Sequence, residues 1–591
     1  MRFVATMALV FLFFQAGQGP AQQQSQNLPA VIEGLVLQAA SGEPIAKAQV
    51  TLTRVVSNPT AILTTPPPAP IPQIPPILTD AAGKFSFANL EPGSYRVIAG
   101  KNGFVRMNYG ERFSGGPGTI VNVPSGQTLN VSFRLIQTAA VSGRVRDSSG
   151  ELGAGLAVQL LKPSYNPAGQ RTFQTVASGR TDDRGEYRLF WISPGRYYLA
   201  VTTNRNSLSL ISIEGTLLLG GGASPNEIVS PGQATVYYPG TVDPLRAATI
   251  EVGAGGEQAG VDLLLPQQTL YRVQGRVVDS STGQPPRTAG INLVPRDTSL
   301  ATLTTSLNTN YNPTTGTFDL RDVVPGAYWL RAQSAESTAT AVIPANAVGR
   351  TVSEALTMAS GLRSAAQMSL DVTGNVDGLV LSMTPGVSVP GSLRVEGQPL
   401  PSTPAPRVAL RSTSTSGLSS PLQPINADGT FTLLNVFPGE YRVMVTPMPP
   451  DYYIKEARNE QVDVLNQPWV IGNAIRGNLE VVLSSAVGQI EGTVIDARSQ
   501  PVASLQTILI PDQDRSRIEL VKTVVTDQNG HFSFRGVSPG NYKIFAWEGL
   551  EANAFYDPEV MRQYEQQGKA VRVTEGAKIT SSEVRMIPAK Q

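Results

Sequence analysis

The pattern of apolar and polar positions along the chain repeats five times. In the last copy, Phe532 and Phe534 alternate with polar residues, which indicates a half-buried strand. A turn at Gly530 precedes this strand, because glycine adopts positive φ at little cost. Pro539-Gly540 follows it and favours a second tight turn. We therefore predict a β-hairpin in each copy, with glycine in the left-handed position of the Pro-Gly turn.

A tyrosine follows the first glycine of every copy at the same distance of 12 residues, and starts the second predicted strand. We expect these tyrosines to be structural, with the ring in the core and the hydroxyl bonded to the backbone. The glycines are Gly83, Gly185, Gly316, Gly429 and Gly530, and the tyrosines are Tyr95, Tyr197, Tyr328, Tyr441 and Tyr542.

Each copy lies within a longer unit that begins with an alternating strand and ends with another apolar strand. About seven strands per unit, with turns every 8–12 residues, predict a two-layer β-sandwich. We predict an all-β chain with about five such domains in tandem after a signal peptide. The predicted segments are a signal peptide (1–21), a linker (22–30) and β-sandwiches at 31–137, 138–267, 268–385, 386–485 and 486–591.

Two local features refine this prediction. Pro390 lies inside the opening strand of the fourth unit, which implies an edge position because proline has no N–H to donate. In the fifth unit, Asp557 and Pro558 are typical of a helix start, and we expect a helix that ends at Gly568.

The N-terminus is typical of a secretory signal. Arg2 precedes an apolar run from Phe3 to Phe14, and small residues around Ala21 suit cleavage. The run is shorter than the roughly twenty residues of a membrane span, although an uncleaved anchor is the alternative. The chain has no cysteine and therefore no lipid-bearing cysteine. We expect a secreted, periplasmic or cell-surface protein with no membrane span after signal removal.

Composition limits the partners and the chemistry. The formal net charge of +1 provides no overall field to attract nucleic acid. The single histidine, His531, occupies a turn position held by lysine, glutamate or threonine in the other copies, so it is expected to be solvated. Histidine-based zinc sites and catalytic triads are thereby excluded. We predict no catalytic residues, no metal and no cofactor.

Acidic residues near the turns raise the question of calcium. Asp182 and Asp527 stand close to a tight turn, but six to eight oxygen ligands are needed and neither segment supplies them. The more economical interpretation is that these side chains hydrogen-bond to their own turns.

A second set of aromatic residues falls in the variable loop after the tyrosine strand. Such rings could stack on sugars or bind a partner, and we take them as candidate ligand-binding residues. The alternative is that they fill the open ends of the sandwiches or pack against the next unit. The set is Tyr109, Tyr237, Tyr238, Tyr452, Tyr453, Phe555 and Tyr556.

The glycine of the opening strand, the aspartate-headed turn and the Pro-Gly-x-Tyr segment together resemble the carboxypeptidase regulatory-like domain. That resemblance implies a transthyretin-like sandwich, related in shape to the Cna B-type stalk domains of adhesins. Members of this family serve as accessory modules, carbohydrate-binding-like folds and spacers, so the resemblance fixes no function. The opening-strand glycines are Gly34, Gly143, Gly275, Gly391 and Gly492.

We therefore expect an exported, non-catalytic binding or scaffold protein that recognises a carbohydrate or a cell-envelope partner through its loops. A purely structural spacer or stalk is the alternative. A carboxylate-dependent hydrolase is a remote third possibility.

Overall fold

The structure is a computed structural model. It describes residues 29–55, 74–112, 115–116, 118–202, 210–213, 216–219, 235–267, 269–296, 310–335, 362–401, 405–414, 417–449 and 451–589. The predicted signal peptide lies outside the described residues.

Strands dominate every unit, which confirms the all-β class. In the first unit they are Ala30–Gln38, Gln49–Arg54, Ile77–Leu78, Lys84–Leu90, Gly93–Gly100, Met107–Asn108, Val121–Val123 and Thr128–Leu135. In the second they are Ala139–Asp147, Ala157–Tyr165, Arg171–Arg180, Glu186–Ile192, Gly195–Thr202, Leu210–Ile213, Thr216–Leu219, Thr235–Tyr237, Ile250–Val252, Glu257–Gln258 and Leu263–Leu265. In the third they are Tyr271–Asp279, Gly290–Pro295, Asn310–Tyr311, Thr317–Val323, Gly326–Ala335, Leu362–Val372 and Val376–Pro385.

The last two units continue the same order. The fourth has strands at Val387–Val395, Arg407–Ser412, Gln423–Pro424, Thr430–Val436, Gly439–Thr446, Tyr453–Asn459, Val462–Asp463, Trp469–Ile471 and Leu479–Ser484. The fifth has strands at Gly488–Ile495, Gln506–Pro511, Lys522–Val525, His531–Val537, Gly540–Trp547, Lys569–Val573 and Lys578–Arg585. Among the described residues the helices are short, namely Pro558–Arg562 (α) and Pro244–Arg246, Ile518–Leu520, Ala554–Tyr556 and Glu565–Gln567 (3-10).

The first unit shows how each sandwich is built. Its opening strand, Ala30–Gln38, lies between the antiparallel strand Lys84–Leu90 and the parallel last strand Thr128–Leu135. The second layer pairs Gln49–Arg54 with Gly93–Gly100. We call Lys84–Leu90 and its counterparts the glycine strand, because it follows the first glycine of the repeat, and Gly93–Gly100 and its counterparts the tyrosine strand.

The predicted hairpin is wrong in every copy. The glycine strand pairs with the opening strand, whereas the tyrosine strand pairs with the second strand of the unit. The Pro-Gly segment is therefore an arch that carries the chain from one layer to the other. Its glycine already belongs to the next strand. The predicted positive φ occurs only at Gly93 (158°) and Gly195 (152°), and the prediction is wrong for Gly326, Gly439 and Gly540.

A bulge precedes each arch. The pairing of the glycine strand with the opening strand slips by one residue near its end. The residue six positions after the repeat glycine takes a left-handed φ of 56° to 63° in all five units. These residues are Asn89, Trp191, Asp322, Asn435 and Gly536.

The interior of each unit is a separate cluster of buried apolar side chains. The five larger clusters draw on residues 30–135, 139–265, 271–383, 387–483 and 490–586. In the third unit the two layers are joined into one seven-stranded sheet, because Leu362–Val372 pairs with both the tyrosine strand and the last strand. The exact domain boundaries stay a prediction.

Close approach of two strands explains the glycine of each opening strand. A Cβ at Gly143 would overlap the carbonyl oxygen of Val261 in the parallel segment before the last strand. The same collision would occur at Gly34 and Gly492, with Val131 and Ser582. Only glycine fits this position of the sandwich.

Two local predictions need correction. Pro390 is not on an edge strand, because Val387–Val395 lies between Thr430–Val436 and Leu479–Ser484. The pairing with Leu479–Ser484 begins at Gly391, so the missing N–H at Pro390 removes no bond from that ladder. The predicted helix starts as expected, with the Asp557 carboxylate accepting from the N–H of Glu559 at 2.8 Å, but its α-helical part ends at Arg562.

The fifth unit contacts three others. Its Ala552 carbonyl accepts from the N–H of Tyr165 in the second unit at 3.1 Å. Glu548 forms an ion pair with Arg112 of the first unit at 3.2 Å, and Ser504 shares a hydrogen bond with Thr119. Contacts with the fourth unit include Arg442 to Ser516 (2.9 Å), Arg517 to Asn466 (3.0 Å) and Lys455 to Glu575 (3.1 Å). The chain is therefore folded back on itself.

Candidate ligand groove

A groove lies where the first, second and fifth units meet, with a volume of about 1770 Å³. The first unit contributes its second strand and the loop after its tyrosine strand. The second unit contributes the end of its glycine strand and the arch, and the fifth contributes the loop at residues 549–553. The lining therefore joins residues of three units that are far apart in the sequence.

An exposed aromatic pair stands at this groove. Trp191 lines it and is 66% exposed, and its ring meets that of Phe190 edge-on with 4.8 Å between centroids. Phe190 is itself 54% exposed, so neither ring belongs to a core. Two tyrosines of the next strand also line the groove, Tyr197 and Tyr198.

Basic side chains outnumber acidic ones in the lining. The basic residues are Lys47, Lys101, Arg106, Lys162 and Arg196, and the acidic residues are Glu111 and Glu551. Glu111 accepts hydrogen bonds from the N–H groups of Asn108 (2.8 Å) and Gly115 (2.6 Å), so its loop already uses the carboxylate. The Lys162 ammonium lies 5.2 Å from the centre of the Tyr197 ring, and burial lowers the pKa of this lysine.

The remaining lining is rich in side chains that both donate and accept hydrogen bonds. Six amides line the groove, namely Gln49, Asn102, Asn108, Gln174, Gln506 and Asn553. Together with the exposed indole and the basic groups, they suit a hydroxylated ligand that carries negative charge.

The loop aromatics singled out from the sequence are packed rather than displayed. Tyr237, Tyr453 and Phe555 are buried, and Tyr109, Tyr238, Tyr452 and Tyr556 are half-buried against the clusters of their own units. Tyr453 donates to Glu575 of the fifth unit at 3.3 Å. These contacts favour the packing alternative, and a ligand-binding role for the set stays a prediction.

The five repeat tyrosines share one geometry. Each hydroxyl donates to the carbonyl oxygen four residues earlier, just before the proline of the arch. The bonds are Tyr95 to Glu91 (2.6 Å), Tyr197 to Ser193 (2.5 Å), Tyr328 to Val324 (2.9 Å), Tyr441 to Phe437 (2.8 Å) and Tyr542 to Ser538 (2.9 Å). Burial raises the pKa of Tyr542 to about 12, so its hydroxyl stays protonated and able to donate.

The turn residues that were considered as catalytic or metal-binding candidates form hydrogen bonds with neighbouring residues. Asp182 accepts from the N–H groups of Arg184 and Glu186, and Asp527 from those of Asn529 and His531, at 2.8–2.9 Å. His531 is exposed, with its Nδ1 2.8 Å from the hydroxyl of Thr493. Within the described part of the chain, acidic and histidine side chains form no group of three that could hold a metal.

The sequence contains a signal for Trp191 that apolar periodicity alone does not reveal. Aligning the five repeats on their glycine puts tryptophan where the other units have asparagine, aspartate or glycine. Asparagine, aspartate and glycine adopt left-handed φ more readily than a bulky residue such as tryptophan. Trp191 is the exception, so backbone preference does not explain why tryptophan occupies this position.

Two parts of the chain, residues 31–136 and 489–580, match the family model of the carboxypeptidase regulatory-like domain. These are the first and fifth units, both of which contribute residues to the lining of the groove. These two stretches are therefore similar to the carboxypeptidase regulatory-like domain, as their motifs predicted. No curated protein sequence matches the chain.

Several solved structures resemble parts of the chain at low identity. The minor pilin GBS52 of Streptococcus agalactiae is 13% identical, with 41% of this chain and 97% of that chain covered and a TM-score of 0.21. A streptococcal ancillary pilin is 10% identical over 54% and 99%, with a TM-score of 0.18. The 3-chlorocatechol 1,2-dioxygenase of Rhodococcus opacus 1CP is 13% identical over 21% and 68%, with a TM-score of 0.13. Such values transfer neither activity nor ligand.

In the ranges covered by the structure, no helix is long and apolar enough to cross a bilayer.

Proposed function

We propose that this protein is an exported, non-catalytic binding or scaffold protein that recognises a carbohydrate or a cell-envelope partner in the groove between its first, second and fifth units. The groove is the observation that carries this proposal. It combines an exposed indole, a basic lining and six amide side chains at one place.

The fold supports a binding role rather than catalysis. Regulatory-like domains match at two of the units that build the groove. The lone histidine is exposed on the fifth unit and does not line the groove. The titratable groups that do line it are lysines, arginines, tyrosines and two glutamates, one of which is bonded to its own loop.

The alternative, a structural spacer, would require an extended chain. A stalk gains reach when its units extend end to end, whereas here the fifth unit packs against the first and second. Contacts that fold the chain back shorten it and create a concave surface, which favours binding.

Binding of the full chain to isolated cell-envelope material tests the proposal. The groove variant carries Lys101→Glu and Arg196→Glu, and the matched control carries Lys569→Glu and Arg572→Glu on an exposed strand of the fifth unit outside the groove. We expect the groove variant to lose at least about tenfold in affinity, as removal of several charge contacts does, while the control binds like the parent.

The outcomes separate the two functions. Equal binding by both variants, with unchanged thermal unfolding, would place recognition elsewhere on the molecule. Absence of any retention by the parent chain would leave the spacer as the better account.

A further inference from the structure

Trp191 adopts a backbone conformation that its residue type disfavours. Its φ is 61°, in the left-handed region, which is strained for a bulky side chain. The equivalent positions in the other units hold asparagine, aspartate or glycine, which take this conformation more easily. The second unit therefore tolerates a strained tryptophan where a better choice is available.

Core packing does not compensate for this strain. The indole is 66% exposed and touches another exposed ring, that of Phe190. Strain retained without burial is typical of residues that act on a ligand. A second groove residue shows the same feature, since Lys47 has a φ of 56° at a position where the second and fifth units have Gly155 and Ser504.

The surroundings of Trp191 define the ligand chemistry. An exposed indole face provides a flat apolar surface that covers a sugar ring. Lysines and arginines around it favour carboxylate or sulfate groups. The amides match neighbouring hydroxyls because each amide, like a hydroxyl, both donates and accepts.

We propose that the groove binds an acidic polysaccharide, with Trp191 stacked on a sugar ring and Lys47, Lys101, Lys162 and Arg196 facing its anionic groups. This inference rests on the proposed function, and names the ligand class for the same groove. An acidic polypeptide would satisfy the charges but gives no ring for the indole, so it is the competing occupant.

Defined polymers separate the candidates. The full chain is titrated with polygalacturonate, with neutral dextran and with polyglutamate at equal ionic strength. We expect polygalacturonate to bind at least about tenfold more tightly than either of the others, with an affinity that falls as salt rises. Equal binding to polyglutamate, tighter binding to dextran, or no binding to polygalacturonate would overturn the inference. In each of these cases the proposed function is still tested separately, by comparing how the groove variant and its control bind envelope material.

Replacement of the strained residue provides the sharper test. Trp191→Gly removes the ring and relieves the left-handed strain, so binding of polygalacturonate should fall at least about tenfold while the melting temperature of the second unit rises by about 1–4 °C. Asn435→Gly, at the same repeat position in the fourth unit and outside the groove, is the control and should leave binding unchanged.

Polygalacturonate binding falls while the melting temperature rises only if the tryptophan binds a ligand. A fall in melting temperature for Trp191→Gly and for Trp191→Asn would assign the ring to packing. Unchanged polygalacturonate binding in both variants would also overturn the inference.

Discussion

Gly143 shows how one residue sets the distance between two strands. Its opening strand comes so close to the parallel segment at Val261 that the carbonyl oxygen occupies the space of a Cβ, and the Tyr187 hydroxyl lies 3.1 Å from that same point. The hydroxyl donates to the Val261 carbonyl at 2.6 Å, which holds the strand in place. Any side chain here must separate the strands.

Gly143→Ala should lower the free energy of unfolding of the second unit by about 2–3 kcal/mol, because overpacking against backbone cannot be relieved by a rotamer change. Gly253→Ala, in the same unit but with open space around its Cβ, should change it by less than about 0.5 kcal/mol. Denaturant unfolding of the full chain measures both. Equal effects for the two variants would show that close strand approach is not the reason for the glycine.

For single residues, the sequence predicted the structure correctly where a residue type has one specific local role. The inward tyrosine, the turn glycine at positive φ and the turn aspartate were all expected, since each follows from local backbone or side-chain chemistry. Thr526 was not expected, although its buried hydroxyl accepts from the N–H of Leu505 at 2.9 Å and donates to the Val502 carbonyl at 2.8 Å. Thr79 and Thr181 make the same pair of bonds in the first and second units, and each stands directly before the turn aspartate, so the recurrence of threonine at this position was the signal that was missed.

Strand pairing is the main lesson at the scale of elements. Alternation of apolar and polar residues shows which face of a strand is buried, but it does not identify the neighbouring strand. A Pro-Gly segment suits a hairpin turn and an arch equally well. The sequence therefore predicted the strands on either side of Pro539-Gly540 correctly and their partners wrongly.

A charge network joins two strands of the third unit. Arg272 on the opening strand holds the Asp319 carboxylate through two bonds of 2.7 and 2.8 Å, and Arg321 adds another of 2.8 Å. These guanidinium groups lower the pKa of Asp319 to about 2, and its side chain is 15% exposed.

Asp319→Asn should lower the stability of the third unit by about 1 kcal/mol at pH 7, since the arginines are largely exposed and solvent screens the pair. The folded pKa lies below the ordinary value of 3.8, so the contribution is present above about pH 4 and disappears as the pH falls to 2. Denaturant unfolding of both proteins between pH 7 and pH 2 should show the difference shrinking in that window. Asp322→Asn, on the same strand, is the control, and a pH-independent difference for Asp319→Asn would contradict the linkage.

The whole molecule is defined by contacts between distant units. Thr119 and Ser504 are both buried and share a hydrogen bond across the boundary of the first and fifth units. Nothing in the repeat pattern predicts which units touch, because the contacting side chains differ from the repeat consensus. The groove was unpredictable from sequence for the same reason.

The contact between the first and fifth units is easy to test, because the chain contains no cysteine. Thr119→Cys with Ser504→Cys should form a disulfide on mild oxidation, because side chains within hydrogen-bond distance bring the two Cβ atoms into disulfide range. A mobility shift on a non-reducing gel, reversed by reductant, measures it, and each single-cysteine variant is a control. Two free thiols after oxidation would show that the first and fifth units are not in contact.

The docking of the fifth unit has a consequence for how the chain withstands damage. A protease that severs the backbone once, in a stretch linking the third unit to a neighbour, would not release half of the molecule. Both halves would stay associated through Glu548 with Arg112 and through Ala552 with Tyr165. A nicked copy would then keep its shape and its groove.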